Sequence, residues 1–116
     1  MANAMATTST VQSKQQLQGL FNEMWAVTIT ISDQDAVAIG DTALFTATVP
    51  GVAAGDVVLG WGNTVDASDG TDQAVLMFQV TAANTLTMTV MADAGELAAD
   101  SLNGGVLKVL IGRPNW

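Results

Sequence analysis

The chain has 116 residues, 3 Lys plus Arg against 11 Asp plus Glu for a net charge of −8, and neither His nor Cys. That length suits a single domain with a real core. Without His or Cys there are no disulfides, no thiol nucleophile, no imidazole base and none of the commonest soft metal ligands. Three scattered cations, Lys14, Lys108 and Arg113, make no phosphate-binding surface.

Nucleic-acid binding is therefore not expected, nor is attraction to an anionic membrane, and no apolar run reaches the ~18 residues of a spanning helix. A hydrophobic share of 49% argues for an ordered chain. A charged share of only 12% means that the surface leans on Thr, Ser, Asn and Gln or is covered by partners.

Residues 1–25 read as an N-terminal arm, and 26–116 as the folded domain. The opening MANAMATTSTVQ is small and polar, without apolar periodicity, and shows no basic segment followed by an apolar one, so no signal peptide is expected. Within 13–25, Leu17, Leu20, Phe21 and Met24 fall at i, i+3, i+4 and i+7 behind Ser13 as an N-cap. That spacing predicts a short amphipathic helix or an extended arm with sticky residues. Gly19 weakens the helix by about 1 kcal/mol against Ala.

From Ala26 the period becomes two. VTITI puts Val27, Ile29 and Ile31 on one face, and LFTATV sets Phe45, Ala47 and Val49 against Thr46 and Thr48. VVLGWGN is a strand in which Gly60 and Gly62 suggest a bulge or a close backbone approach. AVLMFQV is nearly continuous apolar sequence, as in a central strand. LTMTVMA points Leu86, Met88 and Val90 inward, and GVLKVLIG does the same with Leu107, Val109 and Ile111. Pro50-Gly51, Asn84 and Asn103–Gly105 supply turn chemistry. The sum is all-β: a small antiparallel β-sandwich or barrel of about six strands with an extended or short-helical N-terminal arm.

Chemistry is sparse. A Ser–His–Asp arrangement is impossible, and the carboxylates sit mostly in turns, where solvation explains them better than catalysis. DASDGTD crowds Asp66, Asp69 and Asp72, yet its Gly is fifth and its twelfth position is Met77, so a solvated hairpin loop is expected rather than a calcium site. No enzyme activity, cofactor or metal is expected. Trp61 suits the core or its edge. Partner contact is expected at Met5, Val11, Leu17, Leu20, Phe21, Met24, Trp25 and Trp116, since Trp is favoured in interface anchors.

DTALFTATVPGVAAGDVVLG, then FQVTAANTLTMTVMADAG, then GGVLKVLIGRP form a pattern. It resembles one in small structural proteins of tailed bacteriophages: head decoration (cement) proteins and related virion β-modules. The resemblance covers Asp41 to Pro114. It departs where ADAGELAAD replaces a commonly Asn-rich segment, and residues 1–25 lie outside it. The resemblance implies a protein made in the host cytoplasm that sits on the outer capsid surface, binds the major capsid protein and forms a dimer or trimer. Twelve extended residues reach up to ~40 Å, so the arm is expected to strap a neighbouring subunit. The alternatives are another virion part (minor head, fibre or tail module) and a host-surface or carbohydrate-binding sandwich using Trp61.

Overall fold

A computed structural model of the chain describes residues 3–13, 20–63, 68–69, 72–92 and 95–116. Thr and β-branched residues suit a pleated, half-buried surface, and the fold is all-β, with no helix among the described residues. The strands are β1 (Ala4–Ser13), β2 (Phe21–Asp33), β3 (Thr42–Thr48), β4 (Val57–Asn63), β5 (Ser68–Asp69), β6 (Asp72–Ala82), β7 (Thr85–Ala92) and β8 (Val106–Pro114). They form two antiparallel sheets, ordered β1-β2-β8-β4 and β3-β7-β6-β5, and β5 contributes only two residues.

Period-two alternation gives each sheet one apolar face, and the two faces meet. Val27, Ile29 and Ile31 of β2 and Leu107, Val109 and Ile111 of β8 pack against Phe45 and Ala47 of β3, Phe78 of β6, and Leu86, Met88 and Val90 of β7 in one buried cluster. Burying each Val, Leu or Ile contributes roughly 1.5–3 kcal/mol, so this layer dominates stability. Ala83 and Asn84 turn β6 into β7 with Asn84 left-handed at φ 58°, as the sequence predicts.

Three expectations change. Phe21 to Trp25 begin β2 rather than ending a helix, and the expected boundary at residue 25 falls inside that strand; residues 14–19, Leu17 included, lie outside the described residues. The polar segment from Ala4 to Ser13 is no free strap, because it pairs along β2 as an edge strand. Its Thr residues favour extended backbone, and an edge strand needs few apolar anchors; Met5 is the buried one. Finally, β6 is an interior strand, between β7 and the two-residue β5, yet its continuous apolar run is not buried on both faces, because its outward Met77 is exposed.

Each end of the sandwich is tied by a polar group. At the end holding the 34–41 and 95–105 connections, the fully buried Gln34 donates from Nε2 to the carbonyls of Asp35 (2.6 Å) and Ala98 (3.1 Å). Its Oε1 accepts from Leu102 N at 3.0 Å and Ser101 Oγ at 3.1 Å. At the opposite end Arg113 donates from Nε and Nη2 to both Asp56 carboxylate oxygens (3.0 and 2.9 Å), from Nη1 to Glu23 (2.9 Å) and from Nη2 to the Gly51 carbonyl (2.8 Å).

Candidate interaction surface

The outer face of the first sheet is built from register. Val11, Ala26, Leu110 and Gly60 form one row across β1, β2, β8 and β4; Ser9, Thr28, Lys108 and Gly62 form the next. Strict alternation would put Phe21 inside with Trp25. A bulge between Phe21 and Glu23 re-aims it outward. There it covers Gly112: a Cβ at that glycine would lie 2.7 Å from Phe21 Cδ1 and 3.1 Å from Leu59 Cδ1. Leu59 is turned outward by a second bulge, between Val58 and Gly60. Trp116 stands edge-on to Phe21 with ring centroids 5.6 Å apart, and is 79% exposed.

Gly112→Ala is therefore expected to lift Phe21 off the sheet and cost about 1–3 kcal/mol. Urea unfolding gives the cost, and the loss of the Phe21–Trp116 ring contact in NMR spectra locates it. A variant within experimental error of the parent would contradict the close approach.

Beside this ridge lies a hollow of about 490 Å³ lined by Val11, Ala26, Thr28, Gly60, Lys108 and Leu110. Lys108 is the charged side chain in these rows, donating to Thr28 Oγ1 at 3.1 Å. The outer face of the second sheet carries no charged side chain in the rows that align Leu44, Thr89 and Met77, and Thr46, Thr87 and Gln79.

Among the described residues, carboxylates are segregated to the ends. Asp33, Asp35, Asp41, Glu96 and Asp100 sit at the Gln34 end. Asp56 and Glu23, at the other end, are held by Arg113. Arg113 is kept above its ordinary pKa first by its hydrogen bonds to Asp56, against the opposing effect of burial. These three groups satisfy one another, which fits a structural clamp.

The expected contact residues divide. Val11 (62% exposed), Leu20 and Trp116 are exposed, Met24 is half-buried, and Phe21 is buried but carries Trp116. Met5 and Trp25 are corrections: both belong to the core cluster, where the pleat turns them inward, and neither is open to a partner. Trp61 keeps the core-edge role, 42% exposed with its ring tilted on Phe78 at 5.2 Å.

Sequence reading singled out Gly60 and Gly62 but missed Leu59 and Leu110, because outward apolar residues in a strand look like core. Asp66 lies outside the described residues, as do the side chains of Asp69 and Asp72; among the described residues no cluster of carboxylates could hold a metal ion. Comparison with family models, curated proteins and solved structures found no match.

Proposed function

We propose that this chain is a virion structural protein, a capsid decoration module that binds the major capsid protein and stabilises the head by bridging shell subunits. The observation that carries the reading is a chain of net charge −8 whose outer sheet faces hold apolar side chains and no described carboxylate. Contiguous exposed apolar area marks interaction surfaces, and depletion of charge with aromatic anchors marks their centres. The resemblance over Asp41 to Pro114 supplies the virion context.

Function then needs no reacting group. A ligand that binds only the assembled lattice stabilises that lattice by mass action, about 2.7 kcal/mol per site when its free concentration is a hundred times Kd. The rigid sandwich suits the task, since a preorganised surface loses little entropy on docking.

The test is quantitative mass spectrometry of particles purified from the virus that encodes the chain, with add-back to particles stripped of it. Copy numbers near those of the major capsid protein, and a raised temperature of DNA release on add-back, are expected. A handful of copies per particle would move the chain to a minor virion part, and its absence would remove the virion reading.

A further inference from the structure

No steric contact within the isolated fold requires glycine at positions 60 and 62. Neither adopts the left-handed φ that favours glycine, and a Cβ built on either would meet nothing within 4 Å. Glycine in a strand interior is otherwise a weakness, and it marks places where another group approaches closely. Here the missing side chain of Gly60 keeps open the hollow beside Leu110 and Ala26. On the same face Phe21 covers Gly112, two residues along β8 from Leu110, and Trp116 stands edge-on to Phe21 with four-fifths of its surface exposed.

From this pairing of ridge and hollow we infer that the chain self-associates through the outer face of its first sheet, the Trp116 indole of each copy entering the Gly60 hollow of the other. A twofold axis in the plane of the interface, perpendicular to the strands and between the two features, exchanges them, as an isologous contact requires. The hollow is an open depression of about 490 Å³, and burying an indole in it would remove roughly 150–250 Å² from water.

Charge selects the same arrangement. Overlap is confined to the Trp116 half of each copy, so the ends bearing Asp33, Asp35, Asp41, Glu96 and Asp100 lie at opposite extremes of the dimer. That separation far exceeds a Debye length of about 8 Å at physiological salt. Area sets the strength. Half of a face 44 Å by 22 Å is roughly 500 Å² per copy, near the lower bound of about 1,000 Å² in total for a specific interface. A weak, reversible dimer is the consequence.

This inference goes beyond shell binding and does not depend on it. Sedimentation equilibrium of the full chain, up to about 500 μM, is expected to resolve a monomer–dimer equilibrium. Trp116→Ala and Gly60→Val should each weaken it at least tenfold. Gly60→Val should leave the thermal midpoint of the dilute monomer unchanged or raise it, because valine suits a strand with open space above it. A chain that stays monomeric throughout, a trimer, or variants that associate like the parent would overturn the proposal. Monomeric chain that still binds shells would remove self-association and leave the decoration reading standing.

Discussion

Trp25→Ala is expected to lower the unfolding free energy by about 3–5 kcal/mol, the range for removing a large aromatic from a core. Trp25 is fully buried on β2 beside Ile111 of β8. A Cβ on Gly51 (φ 94°) would sit 3.5 Å from the indole, and the Arg113 guanidinium lies over the ring at 5.1 Å from its centroid. Few atoms around the ring are free to collapse into the space it leaves, so the cavity term is retained. Small domains have about 5–15 kcal/mol in all, which makes this loss large enough to see as partial unfolding at physiological temperature. Trp25→Phe should cost well under half as much. The buried Nε1 has no hydrogen-bond partner among the described residues, and an orphaned donor carries about 1–3 kcal/mol of desolvation that phenylalanine does not incur. Urea unfolding followed by far-UV circular dichroism measures both variants without depending on indole fluorescence. Equal losses for Ala and Phe would mean that the orphaned donor is not a significant liability.

The core was legible because burial writes itself into period two. Val27, Ile29 and Ile31, Leu86, Met88 and Val90, and Leu107, Val109 and Ile111 all face inward as their alternation predicts. Edge strand β1 was not legible, because an edge that buries only Met5 among its apolar residues leaves no alternation to read. The helical spacing of Leu20, Phe21 and Met24 has a different origin. A bulge moves Phe21 to the outer face, joining Met24, and so mimics a one-sided stripe within a strand. On the surface, sequence alone singled out Trp116 and Val11 but not what joins them. The hollow exists only once β1, β2, β8 and β4 are in register, and that order joins segments far apart in the chain.

Arg113→Met is expected to cost about 3 kcal/mol, and the cost should be recoverable. The Asp56 side chain is 4% exposed and accepts from Arg113 and from Ala53 N at 2.9 Å. Removing the cation leaves an uncompensated carboxylate in a site with little water, and breaking such a pair from one side costs about 3–5 kcal/mol. The lower end applies because Arg113 itself is 31% exposed. Methionine keeps most of the hydrophobic cover over Trp25 and forfeits the cation–π contact, a smaller loss of about 0.5–2 kcal/mol. Adding Asp56→Asn removes the stranded charge while its side-chain oxygen still accepts from Ala53 N, so the double variant should be more stable than Arg113→Met alone. The double-mutant cycle is expected to give a coupling energy above about 1.5 kcal/mol, beyond the exposed-pair range of 0.2–1 kcal/mol. It should persist at high salt, because a desolvated pair is poorly screened. Strict additivity, or a coupling abolished by salt, would make Arg113 an ordinary surface ion pair. The 50–56 turn would then owe its fixed position to packing on Trp25 alone.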